Sequence, residues 1–401
     1  MGRFHFMTEP TSGLMLASSV YSASLESIIR LIPLTFAAQP RALQRRTSFI
    51  VFLIVSGILL AAAPVFSQGK SFTVRAIDFY GQDDLNVNVI RAALPLREGD
   101  QLSRESKDTM VGRLREAIKL QIGREPSNIA PVCCDDRGRL IIYIGLRGES
   151  VRQTLYNPSP GGSVRLPQAA LEVYADVEHA WLNAMNRGVS GEDDSRGYAL
   201  SLDAETRTKQ LALHAYVARH SSMVRRVLAS ARDVEHRQIA AEMLGYAGRS
   251  REQIVSLIRA SHDVDDGVRN NAMRALVVLA RSSSAASAII PGECFVGLLN
   301  SEVWTDRNKS AKLLSVLTTK RNPQLLTCLR EQALTSLVEM ARWSYVGHAY
   351  STRLMLGRLA GIDEKTLVAM LVREEVEPII SAVTTQKSSG HNGKRCPLCT
   401  H

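Results

Sequence analysis

The chain has 401 residues, 45% hydrophobic but only 5% aromatic, enough to bury a large core packed mainly from aliphatic side chains. A net charge of +10 invites a polyanion reading, but most of the excess lies in residues 1–70 and 386–401, and with few aromatics to stack on bases a nucleic-acid groove is disfavoured. Cys133, Cys134, Cys294, Cys328, Cys396 and Cys399 follow no framework spacing, which in a chain this long excludes a small disulfide scaffold.

Arg45-Arg46 leads into an uncharged apolar run over residues 49–66. Segment 1–70 is therefore expected to be a signal peptide or a membrane anchor, with cleavage positions at Ala61 and Ala63 or at Val65 and Ser67. A secretory leader starts closer to its apolar run, so either the true start lies downstream of Met1 or the run is an uncleaved anchor through 49–66. The positive-inside tendency keeps Arg41, Arg45 and Arg46 in the cytoplasm, so the remainder is expected in the periplasm, free or anchored in the cytoplasmic membrane.

Residues 72–79 are a β-branched and aromatic run closed by turn residues from Tyr80-Gly81 onward, which predicts a strand. Helical spacing follows in Leu85, Val89, Ile90 and Leu94, and again in Met110, Leu114 and Ile118. Two short strands, 129–133 and 140–146, flank Asp135-Asp136-Arg137-Gly138, a hairpin signal in which Gly138 supplies a positive φ. The predicted order over 71–150 is β-α-α-β-β. Neighbouring cysteines on a strand point to opposite faces, so Cys133 and Cys134 are expected one inward and one outward, with a vicinal disulfide as the oxidising alternative.

Val74-x-x-Ile77-x-Phe79-x-Gly81, then Ile90 and Leu94-Pro95-Leu96-x-x-Gly99-x-x-Leu102, resemble the polypeptide-transport-associated (POTRA) domain. The resemblance implies a module that binds other polypeptides, often by offering a sheet edge to an extended strand. No long series of alternating strands follows, so a membrane β-barrel is not expected.

Asn157-Pro158-Ser159-Pro160-Gly161-Gly162-Ser163 suits neither helix nor ladder and marks residues 151–167 as a linker. A helix over 168–186 carries Leu171, Tyr174, Val177, Trp181 and Met185 at helical spacing. Glu192, Asp193 and Asp194 lack the ligand spacing of an EF-hand, so a solvated acidic loop is expected. Beyond it, a capping box at Ser250-Arg251-Glu252-Gln253, left-handed closures at Gly248 and Gly361, and breaks at Pro291-Gly292 and Asn322-Pro323 divide the chain into helical hairpins.

One phrase recurs on these helices. Arg269/Ala272/Leu276/Leu279 repeats its offsets in Arg237/Ala240/Leu244/Ala247, Arg307/Ser310/Leu314/Leu317 and Arg330/Ala333/Leu337/Met340, and without the Arg in Ala349/Thr352/Leu356/Leu359. With Asp265-Asp266-x-Val268-Arg269-x-x-Ala272-x-x-Ala275-Leu276 as its fullest copy, the region 168–385 resembles a divergent HEAT-repeat α-solenoid. The expected fold is thus mainly α, a HEAT-like solenoid preceded by a small β-α-α-β-β domain. The recurring Arg is expected to pair within its own repeat with a loop carboxylate such as Asp233, Asp265 or Asp306, and binding is expected on the exposed first-helix residues between the phrases.

His214, His220, His236 and His262 show no one-face metal spacing, and no phosphate loop, nucleophile elbow or paired-carboxylate motif appears. In the tail 386–401, His391, Cys396, Cys399 and His401 offer four potential zinc ligands, and Cys396-Pro397-Leu398-Cys399 resembles one knuckle of a zinc ribbon without its second. Oxidised thiols or a disordered basic tail are the alternatives. The expected function is a non-catalytic protein-binding scaffold of the bacterial envelope. The alternative, implied by resemblance to HEAT-like bilin lyases, is an enzyme acting on a chromophore or protein substrate.

Overall fold

The computed structural model describes residues 71–82, 85–103, 106–135, 137–148 and 156–385. The apolar run at 49–66 and the tail residues His391, Cys396, Cys399 and His401 lie outside them. Among the described residues no helix is long and apolar enough to cross a membrane. The molecule is mainly helical, with a small mixed sheet on its N-terminal side.

Strands β1 (Ser71–Tyr80), β2 (Gln101–Ser103), β3 (Asn128–Val132) and β4 (Leu140–Gly145) lie in the order β2-β1-β4-β3. β1 and β4 run parallel, and the two outer pairings are antiparallel. Helices α1 (Val87–Ala93) and α2 (Lys107–Ile122) fall between the strands in sequence. The expected β-α-α-β-β order is present, with β2 as an added three-residue edge strand. Such a strand carries too few residues to show a period.

Every residue of β4 is buried, as a continuous apolar run implies for a strand covered on both faces. Leu140, Ile142 and Ile144 join Ile90, Leu94, Leu114 and Ile118 in one core, under α1 and α2. Ile141 and Tyr143 point the other way, into the core of the helical body. In β1 a register shift between Val74 and Ala76 changes the parity, so that Val74, Ile77 and Phe79 face the first core while Ala76 and Tyr80 face the second.

After α3 (Gln168–Asn186) and α4 (Ala204–Ser230), every second helix belongs to one packed row. In this row, α5 (Val234–Leu244), α7 (Asp266–Ser282), α9 (Trp304–Leu317), α11 (Val346–Leu359) and α13 (Val376–Thr384) pack each against the next. Between them in sequence lie α6 (Arg251–Ala260), α8 (Ser284–Ile289), α10 (Pro323–Ala341) and α12 (Glu364–Val372). Asp203, Asp233, Ser250, Asp265, Asn322 and Asp363 cap their helices by accepting from backbone N–H groups. Gly361 closes α11 in the left-handed region as expected; Gly248 has no such conformation.

The phrases beginning at Arg237, Arg269, Arg307 and Ala349 all lie in this row, with their Ala, Ser, Thr and most Leu positions buried. The copy at Arg330 belongs to α10, outside this row, which accounts for its short spacing from Arg307. Its guanidinium bonds the carbonyls of Leu359 and Val383.

Three local expectations are corrected. The acidic loop is not simply solvated: Glu192–Asp193 forms β5, paired with β6 (Leu200–Ser201), and Glu192, Asp193 and Asp194 are ion-paired to Arg274, Arg207 and Arg281. Cys133 and Cys134 are joined in a disulfide, not separated across the sheet. The described part of the linker, residues 156–167, is a built strap. Asn157 N bonds His262 O at 2.6 Å, Gly162 N bonds Ser230 O at 2.9 Å, Arg232 N bonds Gly162 O at 2.7 Å, and Leu166 N donates to His236 Nδ1. Extended backbone with free N–H and C=O groups finds partners in the inter-helix loops that periodicity cannot reveal.

Candidate functional site

The recurring arginines are buried and reach forward along the chain. Arg237 grips Asp263 with Nε at 2.9 Å and Nη2 at 3.0 Å, and Arg269 grips Asp306 in the same fork at 2.8 and 2.9 Å. The remaining guanidinium nitrogen of each bonds two carbonyls of the preceding loop, Ala231 and Arg232 for the first, Asp263 and Val264 for the second. Arg307 continues the series with Glu339 at 3.4 Å. The expected pairing inside one repeat is therefore corrected: Asp306 is a partner, but of Arg269 on the preceding helix of the row. A planar fork locks two neighbouring helices in register as a flexible ammonium would not.

Tyr156, at the start of the strap, closes the Arg269 pair. Its ring lies under the guanidinium at 3.8 Å and its hydroxyl donates to Asp306 Oδ2 at 2.8 Å. Ser301 Oγ reaches the same carboxylate oxygen at 2.8 Å. Burial, with the Asp306 charge beside it, pushes the Tyr156 hydroxyl up to about 12. The Arg269 guanidinium is penalised by its burial, but Asp306 outweighs that and holds it charged.

At Glu339 the series of ion pairs meets the sheet. Its carboxylate accepts from Gly81 N and Gln82 N, both at 2.9 Å, where β1 ends. Around this point lies a seam of aromatic rings. Tyr143 of β4 stacks on Trp304 at 4.9 Å, packs on Trp343 at 4.7 Å, and its hydroxyl lies 2.6 Å from His348 Nδ1. Trp343 Nε1 donates to Phe79 O, and Asp78 accepts from Ser344 N at 2.9 Å and Ser344 Oγ at 2.7 Å. Burial raises the Asp78 carboxyl above its ordinary value, since the Ser344 bonds only partly offset desolvation. Tyr80 is buried under Arg307, its hydroxyl 3.0 Å from both Asn128 Oδ1 and Glu302 O.

The histidines considered from the sequence do not converge. His214 bonds Tyr246 O and stacks on Tyr198, His220 lies against Tyr216, His236 receives Leu166 N, and His262 bridges toward Cys294 O. Among the described residues no group of three or more His, Cys, Asp or Glu is placed to hold a metal ion. The four tail ligands fall outside those residues.

Glu339, Tyr156 and the seam were not singled out from the sequence. The usable signal was scarcity: of three tryptophans in the chain, Trp304 and Trp343 both sit in the seam. In a body packed from Leu and Ala, large rings mark where its core meets an unlike surface. No family model matches the chain, and no curated protein matches it.

Proposed function

We propose that the chain is a non-catalytic, protein-binding scaffold of the bacterial cell envelope, a HEAT-like solenoid carrying a POTRA-like sheet on one side. The carrying observation is the row α5, α7, α9, α11, α13, each helix packed on the next, with Arg269–Asp306 joining α7 to α9 and Arg237–Asp263 joining α5 to the loop before α7. Stacked helices of this kind share a continuous core and leave a long exposed surface, whose natural use is binding. The sheet contributes less. Its two edges are three residues in β2 and five in β3, and Pro131 in β3 lacks the N–H a docking strand needs. An oxidising compartment agrees with the cysteines, since no free cysteine occurs among the described residues.

In-cell cross-linking of the full chain, followed by identification of the captured species, tests this reading. A discrete polypeptide partner is expected; repeated capture of none would refute the scaffold. An alkaline-phosphatase fusion after Ser150 tests the compartment, and activity is expected only when the fusion is exported.

A further inference from the structure

Arginines over most of the helical body are paired with carboxylates, from Arg187 with Asp203 to Arg373 with Glu375. Six in one stretch are different. The side chains of Arg219, Arg225, Arg226, Arg232, Arg251 and Arg259 make no hydrogen bond or ion pair among the described residues, and all but the half-buried Arg225 are exposed. Arg219 and Arg226 lie on the two segments of α4, on either side of a break at His220, whose backbone is not helical. Arg251 and Arg259 on α6 flank Val255, which is 51% exposed. The two helices pack against each other. Arg225 of α4 and Arg251 of α6 both bear on one carboxylate, Glu252, which lies low first through its own backbone and Ser250 and then through these two charges. Arg225 and Arg251 thus lie near one another where the two helices pack, and the exposed arginines of this stretch are opposed locally by Glu252 and by Glu235 at the start of α5.

The chemistry of that surface is selective. No lysine occurs between residues 219 and 259, so every formal cation there presents a planar fork suited to bidentate oxyanion recognition. The same fork takes Asp263 and Asp306 inside the molecule. An acidic segment of the chain itself, Glu192 to Asp194, is already held on arginines of α4 and α7. Among the described residues none of the exposed large hydrophobic side chains is aromatic, so the surface offers neither a stacking platform for bases nor a ring to insert at a lipid interface.

We propose that the exposed faces of α4 and α6 dock an acidic segment of a polypeptide partner, carboxylates on Arg219, Arg226, Arg251 and Arg259 and an apolar side chain against Val255. This rests on the scaffold reading and names the surface and the partner chemistry that serve it.

The test uses the full chain and a labelled peptide of alternating Glu and Asp residues, with binding read by anisotropy at low and physiological salt. R219Q/R226Q/R251Q/R259Q is expected to weaken binding about tenfold or more, while R97Q/R113Q/R124Q/R137Q, an equal charge change on the sheet side, leaves it within about twofold. All eight positions are exposed, and an unchanged melting temperature confirms that the variants fold. Equal loss from both variants, absence of peptide binding, or preferential binding of phosphatidylglycerol vesicles or duplex DNA through this face would overturn the proposal. Cross-linking in cells separates it from the broader reading. A partner still captured by R219Q/R226Q/R251Q/R259Q leaves the scaffold standing and removes this face; no polypeptide captured by the wild-type chain removes the scaffold.

Discussion

Arg269 shows why a buried arginine can recur in an aliphatic core. It is 1% exposed, and desolvating it is tolerable because Asp306, two loop carbonyls and the Tyr156 ring together take up its charge and its donors. Removing one partner strands the other. Asp306→Ala is expected to cost about 3–5 kcal/mol, measured by denaturant unfolding, whereas Arg269→Leu combined with Asp306→Leu recovers a good part of that loss. A double variant no more stable than the single one would contradict this account. Asp135, beside the turn of the β3–β4 hairpin, is likewise buried. Burial alone would raise its carboxyl, but bonds from Arg139 N at 2.8 Å, Arg139 Nε at 2.9 Å and Arg137 N at 3.0 Å outweigh it and hold the carboxyl below the ordinary 3.8. A depressed folded value means stability present above the unfolded value and lost as pH falls through the folded one. Asp135→Asn should therefore cost about 1–3 kcal/mol at pH 7, and the gap in melting temperature should close as pH drops below 3.8. A gap that stays constant with pH would show that charge is not the cause.

At the scale of elements, the seam decides how the sheet is held. Trp343 is 2% exposed, packs on Tyr143 and Tyr80, and donates to Phe79 O. Trp343→Ala removes that ring and leaves the carbonyl without its donor, a loss of about 3–5 kcal/mol, expected to expose β1 and β4 amides to hydrogen exchange before those of α5 and α7. Uniform loss of protection would place the ring's role elsewhere. The contrast between what sequence revealed and what it hid follows from range. The strand at β4 was legible as a short continuous apolar run and the phrase at Arg269 by its helical period, each signal lying within its own element. The partner of Arg269 was not, because Asp306 lies on another helix and nothing between them marks the pairing. Nor was the second face of the sheet, since a shift at Val74/Ala76 reverses which β1 residues point toward it. Glu192 to Asp194 read as solvated because their arginines, Arg207, Arg274 and Arg281, come from two distant helices.

For the whole molecule, the sheet, strap and helices share one core. Ala76, Tyr80, Ile141 and Tyr143 of the sheet belong to the same cluster as Val268, Leu276, Leu314 and Leu356 of the helices. The strap holds this union along its length, and at Gly162 it lies directly against the helical body. A Cβ there would run into the carbonyl oxygen of Ser230, a backbone atom at the end of α4 that cannot swing aside as a side chain could. Gly162 N also donates to that oxygen, and its own carbonyl receives Arg232 N. Gly162→Val must lift the strap, breaking both bonds and drawing Tyr156 off the Arg269–Asp306 pair. The expected cost is about 1–3 kcal/mol from overpacking, with the lost bonds added to it. If the strap unites the molecule, the loss is more than one of stability. In the wild-type chain, tryptophan fluorescence, which reports the seam, and far-ultraviolet dichroism, which reports the helices, should give coincident unfolding curves. In Gly162→Val the fluorescence transition should move to lower denaturant ahead of the dichroism, and protease should cut within residues 156–167 before the helices are lost. Coincident transitions in the variant would mean that the seam alone, without the strap, makes sheet and helices a single cooperative unit.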